Sequence, residues 1–463
     1  MTHKTLTVVT LPGLHLDTLG HYFCALGLLR FSAQKWAQVK SCWRNGTFCL
    51  VGGPSDFAEL EAFLLERGAG RHWTPYAKSW DAFQKKDTAT QGAENSTLWR
   101  AQKASELEVL HFQSHIATSS RLSFNPVFGT GGNAGARIFS KGWDSACDAI
   151  APKNKKFPRG ITAEIVAQDL NAFLQGGVST YLSDYGAGCW FSAANKMFNN
   201  GISRPFRGGQ ITPWAMLLAC EAFPMLVGAT SRQIGFHRKA TGAFPFVTLG
   251  ASPEAEQEAG KVVGEFWAPI WGQPLSANEA TALIQRGRAE VNGRGAITAA
   301  AFAAAIIQKG TDAGLAEFRR FSLQRTTSEN TFESRLASIH PLDNRNDTAQ
   351  AQSVNLILRL RDSLPRDFKK GGNWVYRGLQ GPIDQALIKL SEVTGNDSLR
   401  RERSWVLVDA VFTALEKADR NKTFRAEKIH FELLPATWAA ALLSGGYDNT
   451  VEVRVALTLA TLR

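Results

Sequence analysis

The residue types best suited to chemistry are four glycines, Gly129, Gly131, Gly132 and Gly135, set in the run FNPVFGTGGNAGARIF that also holds Asn125, Thr130 and Asn133. Lacking a Cβ, successive glycines let backbone N–H groups converge on an anion, and Arg137 just beyond them brings a guanidinium able to make a bidentate contact. The spacing is not that of a P-loop, which needs GxxxxGK and then Ser or Thr, because no lysine follows Gly135 until Lys141. A dinucleotide fingerprint would put its third glycine at Ala134, and Ile138–Phe139 predicts a further strand where that motif needs a helix. Two readings stay open: a loop that cradles an anion, and a glycine-rich hairpin with no ligand. Asn125 and Asn133 reach base edges in the first reading and cap their own turn in the second.

Other catalytic patterns do not stand out. Paired carboxylates, a Ser-His-Asp arrangement and a metal cluster are all missing from the pattern, and Asp184 beside Tyr185 is an isolated acid. His111 and His115 share an i, i+4 spacing but lack the glutamate of HExxH and a third ligand. The six cysteines, Cys24, Cys42, Cys49, Cys147, Cys189 and Cys220, form no CxxC and read as reduced thiols. Neither a cofactor site nor a metal site is supported by these patterns.

Charge points to a partner instead. The 463 residues carry 52 Lys and Arg against 41 Asp and Glu, a net +11, with a pI near 9.4, while 44% hydrophobic and 20% charged residues are ordinary globular values that exclude a wholly disordered, collagen-like or coiled-coil chain. The excess is uneven: residues 1–150 hold 15 basic and 12 acidic side chains, residues 151–250 hold 10 and 4, and the remainder 27 and 25. Between residues 186 and 250 the only acid is Glu221, while Lys196, Arg204, Arg207, Arg232, Arg238 and Lys239 are interleaved with Trp190, Phe191, Phe198 and Phe206. Cations that neutralise phosphates release counterions, and aromatic or guanidinium faces stack on bases, so the mixture suits a strand-binding groove. A solvated basic surface over core aromatics is the alternative. Further basic clusters are Arg319, Arg320 and Arg325 near Glu317, read as a solvated helix end; Lys369, Lys370 and Arg377 around Gly371, Gly372 and Trp374, read as a loop that clamps a strand or an ordinary basic turn; and Arg400, Arg401 and Arg403, read as a helix start whose unfavourable charge suggests a bound anion.

These residues must be positioned by ordinary elements. The stretch Thr5–Thr10 predicts a strand, Asp17 a helix cap, and Leu19, Tyr22, Phe23, Leu26 and Leu29 one face of a buried helix. Thr47–Val51 predicts a second strand, followed by a helix opened by Asp56 and Glu59 in capping-box positions. Thr212–Pro213 and Ser276 with Glu279 start later helices, and residues 349–363, 383–393, 402–417 and 436–443 predict a helical C-terminal region. The polar stretch 78–100 reads as an exposed excursion. The N-terminus lacks the apolar length of a signal peptide, and Trp214–Ala229, cut by Glu221 and Pro224, is short for a bilayer span, so a soluble cytoplasmic protein without a membrane partner is expected. The chain length suggests about two or three domains. The reading is an α+β fold: residues 1–150 a mixed α/β N-terminal domain with the Gly-rich loop, 151–345 a basic, mostly helical central region, and 346–463 a helical C-terminal domain.

Three segments, taken in order, resemble one family, the large subunit of type I CRISPR effector complexes of subtype I-G, formerly I-U. LPGLHLDTLGHYFCALGLLR at 11–30 is similar to the family's opening helix; NPVFGTGGNAG at 125–135, followed by IFSKGW, is similar to its Asn-Pro, Gly-Thr-Gly-Gly-Asn stretch; and TPWAMLLACEAFPMLVGATSRQ, FPF at 244–246 and AEFRRFSLQR at 316–325 resemble successive blocks, with VEVRVALTLATL at 451–462 a looser match. The resemblance covers most of the chain. It implies a non-catalytic subunit of a guide-RNA surveillance complex that helps recognise the target-adjacent motif, stabilises the opened duplex and helps recruit a helicase-nuclease, while guide pairing reads most of the sequence. Implied partners are guide RNA, target double-stranded DNA, the backbone and guide-end subunits, and the helicase-nuclease. Family members run longer past the last matched block, which implies that a helical bundle is absent or supplied by a separate small subunit, and residues 78–118 lack a counterpart. Under this resemblance the nucleic-acid contacts fall on Asn125, Gly129, Thr130, Gly131, Gly132, Asn133, Arg137, Lys196, Arg204 and Arg207, with Arg319, Arg320, Lys369, Lys370 and Arg377 as further candidates. A nucleotide-binding enzyme using the 129–135 loop, or a scaffold for acidic proteins, are the competing expectations.

Overall fold

The computed structural model describes residues 6–71, 110, 113–114, 116–118, 122–128, 136–185, 190–191, 210–230, 242–248, 262–287, 289–291, 293–309, 311, 314–325, 332–342, 348–364, 369–370, 373–374 and 379–420. In chain order the elements are β1 (Val8–His15), α1 (Leu19–Ser32), β2 (Lys40–Arg44), β3 (Thr47–Val51), α2 (Phe57–Arg67), β4 (Ile116–Thr118), β5 (Leu122–Phe124), α3 (Ala136–Ala149), α4 (Ala163–Gln175), α5 (Pro213–Glu221), β6 (Ala229–Thr230), β7 (Gly242–Ala243) and β8 (Val247–Thr248). There follow β9 (Val262–Trp271), β10 (Leu275–Ser276), α6 (Ala277–Arg286), β11 (Glu290–Val291), β12 (Arg294–Gly295), α7 (Ala299–Ile307), β13 (Leu315–Arg325), β14 (Phe332–Pro341), α8 (Thr348–Ser363), β15 (Lys369–Lys370), β16 (Asn373–Trp374), α9 (Gly381–Ser391) and α10 (Asp397–Arg420). The fold is α+β with a helical C-terminal region. The central region, expected to be mostly helical, holds the three longest described strands, β9, β13 and β14. Segments such as AEFRRFSLQR carry charges on both faces and so lack a clean period in the sequence.

The chain divides into two compact units. The first comprises Met1–Val247, Phe266–Gly287 and Phe321–Ala337. Its four-stranded sheet has the order β1-β3-β2-β10, antiparallel throughout, and β2 and β3 are joined by Asn45–Gly46, both with positive φ (51° and 77°), the backbone that a two-residue hairpin turn demands. Helix α1 is capped by Thr18, whose hydroxyl accepts from the His21 amide; Asp17, the expected cap, is instead exposed beside His15. Leu19, Tyr22, Phe23, Leu26 and Leu29 are all fully buried, and α5 is buried along its whole length. The two helices pack at Gly27, where a Cβ would collide with the Leu218 carbonyl. Asp56 caps α2 by accepting from the Glu59 amide, and Ser276 with Glu279 forms a complete capping box for α6.

The second unit comprises Thr248–Glu265, Arg288–Arg320 and Ser338–Arg463. Its helices α7, α8, α9 and α10 bury Phe302, Val354, Ile357, Ile383, Leu387, Leu407 and Val411, and the bidentate pair Arg361–Asp384 (2.7 and 2.8 Å) locks α8 to α9. Helix α8 begins at Thr348 and α9 ends at Ser391, close to expectation. The expected helix at 436–443 lies outside the described residues. No helix among the described residues is long and apolar enough to cross a membrane.

Candidate nucleic-acid interface

The glycine-rich run is entered from a hairpin and left through a helix. Strands β4 and β5 pair antiparallel, and the turn Pro126–Phe128 after them is pinned by Asn125. This buried amide donates to the Ser114 carbonyl (3.0 Å) and accepts from the Val127 N–H (3.1 Å), while Trp190 Nε1 donates to the Val127 carbonyl (3.0 Å). Asn125 is therefore engaged in capping its own turn, one of the two roles open to it in the sequence. Gly129, Thr130, Gly131, Gly132 and Asn133 lie outside the described residues.

Arg137 lies in the first turn of α3. The strand expected at Ile138–Phe139 is this helix instead. Its period becomes visible only downstream, where Trp143, Ala146, Cys147 and Ile150 are buried at helical spacing. Gly142 lets α3 approach the Tyr185 carbonyl, where a Cβ would not fit. A glycine run that feeds a helix N-terminus without a first-turn acid is favourable to an anion. The strand before it belongs to an antiparallel hairpin, not to the parallel βαβ unit of a dinucleotide site.

Lys196, Arg204 and Arg207, with Arg232, Arg238 and Lys239, lie outside the described residues. Glu221, the lone acid among them in sequence, is described. At 0% exposure its carboxylate receives Arg71 through two hydrogen bonds (2.5 and 2.7 Å) and also Arg30, each arginine being about one-fifth exposed. Arg71 further lies over the Phe31 ring, 5.0 Å from its centroid. Arg30 and Arg71 come from outside the 186–250 segment. The only acid of that segment is thus neutralised internally by other parts of the chain.

In the second unit, Arg319 and Arg320 lie on β13, a strand and not the solvated helix end expected. Alternation sends them to opposite faces. Arg319 donates to Glu317, two residues away (2.8 Å), whereas Arg320 is buried and grips Glu265 with two hydrogen bonds (2.8 and 2.5 Å). Arg320 also reaches Ser338 (3.5 Å), whose hydroxyl meets Nε2 of His340 at 2.7 Å, and Nδ1 of His340 meets Ser391 at 2.8 Å. Ser391 donates to the Ile388 carbonyl, so it accepts from His340 Nδ1–H, and Ser338 then donates to Nε2. That order is the one a nucleophilic serine uses. However, burial and then the Arg320 charge pull the His340 pKa down to about 3, which makes it a poor general base near neutral pH.

Lys369 and Lys370 form β15, paired with β16 in register Lys369 with Trp374 and Lys370 with Asn373, so the expected loop is a short hairpin. Arg377 lies outside the described residues. Helix α10 starts at Asp397, before Arg400, with the Asn396 side chain accepting from the Leu399 amide. Its first turn is therefore acidic. Arg400 donates to Gln350 (3.2 Å) and to the Val393 carbonyl (3.1 Å), which removes the charge misfit that suggested an anion there.

Cys24, Cys42, Cys49, Cys147 and Cys220 are buried and free, and burial raises the thiols of Cys24, Cys147 and Cys220. His111 and His115 lie outside the described residues, and among the described residues no group of three or more His, Cys, Asp or Glu side chains is placed to hold a metal. The motif reading passed over Lys153, Lys155, Lys156 and Arg159, which are exposed between α3 and α4; the signal was the run KNKKFPR, four cations in seven residues without an acid. Comparison with known proteins finds no family model that matches the chain and no match among the curated proteins.

Proposed function

We propose that the chain is the non-catalytic large subunit of a CRISPR guide-RNA surveillance complex, acting in the cytoplasm, where it binds target DNA, helps recognise the target-adjacent motif and stabilises the opened duplex. The ordered resemblance from 11–30 through 125–135 to 316–325 is the observation that carries this reading. The internal neutralisation of Glu221 is consistent with it, since it leaves the cations of 186–250 without an acid of their own segment. In this reading the 125–137 loop and the 196–207 segment contact the nucleic-acid backbone, and catalysis belongs to the recruited helicase-nuclease.

Purification of the chain with its natural partners, before and after ribonuclease, tests the reading. The expected result is a co-purifying RNA of uniform length whose loss dissolves the assembly. An assembly that contains no RNA, or survives its removal intact, overturns the reading in favour of a scaffold for acidic proteins.

The helix start at Ala136 favours one second reading, a nucleotide held by the 129–135 run at the α3 N-terminus. A thermal-shift screen with nucleotides and divalent metals separates the two: stabilisation by a mononucleotide supports the second, and flat responses remove it.

A further inference from the structure

From the loop between α3 and α4 we infer a second nucleic-acid contact, a preformed phosphodiester clamp made by Lys153, Lys155, Lys156 and Arg159. The inference deepens the nucleic-acid reading above and rests on it for the class of partner.

The loop backbone is ordered by its own sequence. Three successive turns close it, from the Asn154 amide to the Ala151 carbonyl (2.8 Å), from Phe157 to Asn154 (3.0 Å) and from Ile161 to Pro158 (3.4 Å). Asn154 ties it to α3, donating to Asp148 (2.6 Å) while accepting from the Lys156 amide (3.1 Å). Gly160 supplies the left-handed residue (φ 82°) before Thr162 caps α4. Every one of these ties is made without a basic side chain, so the cations are not what holds the loop.

The cations are presented outward. Lys153, Lys155, Lys156 and Arg159 are all exposed; Lys156 reaches Asp148 at 3.6 Å with 79% of its side chain still in solvent, and the other three have no ion-pair partner among the described residues. The acids that approach are already engaged. Asp148 serves Asn154 and Lys156, and the exposed Glu164, in the first turn of α4, is held below the ordinary carboxylate range by the neighbouring Thr162 hydroxyl and its own backbone N–H. Asp169 is buried and bound by Thr212. Four exposed like charges within seven residues repel one another, and a polyanion relieves the repulsion.

The chemistry identifies a strand backbone, not a base reader or an apolar protein surface. The Asn154 side chain is committed to α3 and to the Lys156 amide and that of Thr162 to the α4 cap, so the loop's side chains offer a ligand chiefly charge. Phe157 is partly buried, and the loop exposes no large apolar side chain of the kind that anchors protein interfaces. A preformed loop also loses little conformational freedom on binding. Contact of this kind is independent of sequence and steep in salt.

The test uses the full-length chain and three probes of one sequence, a single-stranded RNA, the matching DNA strand and the DNA duplex, with binding measured across salt. For Lys153→Gln/Lys155→Gln/Arg159→Gln, affinity is expected to fall and the log–log salt slope to flatten by about two to three on at least one probe, at roughly 0.7 to 0.9 for each phosphate no longer neutralised. The probe on which it flattens identifies the strand. A matched variant, Arg67→Gln/Arg294→Gln/Lys417→Gln, removes the same charge from exposed positions elsewhere and is expected to change the slope far less. Wild-type binding with an unchanged slope in the loop variant, or an equal change in the matched variant, overturns the clamp and leaves the guide-RNA reading standing. Failure of the wild type to bind any probe overturns both. Poly-glutamate serves as a fourth probe: loss of its binding in the loop variant with nucleic-acid binding intact overturns the clamp and reassigns the loop to an acidic protein.

Discussion

Strand β13 carries Arg319 and Arg320, and the loop between α3 and α4 carries Lys153, Lys155, Lys156 and Arg159. Both stretches are rich in cations, but only the first is picked out in the sequence; it is consumed within the fold, while the second faces solvent. Glu265, distant in sequence but level with Arg320 in the second unit, takes up the Arg320 guanidinium, and Glu317 takes up Arg319. Among the described residues the loop cations form one ion pair, Lys156 with Asp148, and that carboxylate is shared with Asn154. A cation therefore bears on a partner only after the carboxylates that fold back onto it have been counted. The first unit repeats the lesson with opposite sign, since Glu221, an acid within a basic segment, is sealed by Arg30 and Arg71.

The contrast is breakable at its buried end first. Glu265→Gln withdraws the carboxylate that neutralises buried Arg320 and is expected to cost about 3 to 5 kcal/mol, read as a lowered urea midpoint, whereas Glu265→Leu with Arg320→Met is expected to cost much less. Glu221→Gln should act in the same direction on the first unit. A negligible effect of both single variants would mean that these arginines are not held by their carboxylates.

The next effect is one of pH. His340 has an ordinary unfolded value near 6.5 and a folded value pulled down to about 3 by burial and the Arg320 charge; His21 falls to about 3 by burial and its neighbour His15. Between those values the unfolded chain binds more protons, so stability fully present above about 6.5 is lost as pH falls toward 3, by up to about 1.4 kcal/mol per pH unit for each histidine. Replacing His340 with Asn should flatten that slope in a denaturation series across pH 4 to 7, a range chosen to lie roughly within the window of the linkage.

Smaller still is the choice of helix cap. Thr18→Ala should cost about 1 kcal/mol and Asp17→Ala within about 0.5 kcal/mol, compared by thermal melting, because Thr18 and not Asp17 accepts from the α1 amides. Smallest is the exposed end of the contrast: Lys153→Gln/Lys155→Gln/Arg159→Gln should leave stability within about 0.5 kcal/mol, since the loop is tied by Asn154 and backbone turns.

Local chemistry was legible where a few adjacent residues decide it. The α1 face, the Asp56 cap, the Ser276–Glu279 box and the Thr212–Pro213 start all form as their spacing predicts. Errors arose where a signal was short or a partner remote. Ile138–Phe139 looks like a strand because the helical period of α3 emerges only from Trp143 onward, and Arg319–Arg320 looks like a helix end because charged residues interrupt the alternation of β13. Glu265 and Glu221 could not be assigned to their arginines at all, because pairing across 55 and 150 to 191 positions is a property of the packed chain. The α3–α4 loop was legible as charge but not as geometry, since its exposure depends on which acids its neighbours leave free.

The proposed contact of the basic 196–207 segment with nucleic acid is tested most directly by the salt dependence of target-duplex binding in the proposed guide-RNA complex. Arg204→Gln/Arg207→Gln is expected to weaken binding and to flatten the log–log slope by about two, one phosphate per arginine. Unchanged affinity and unchanged slope would contradict it.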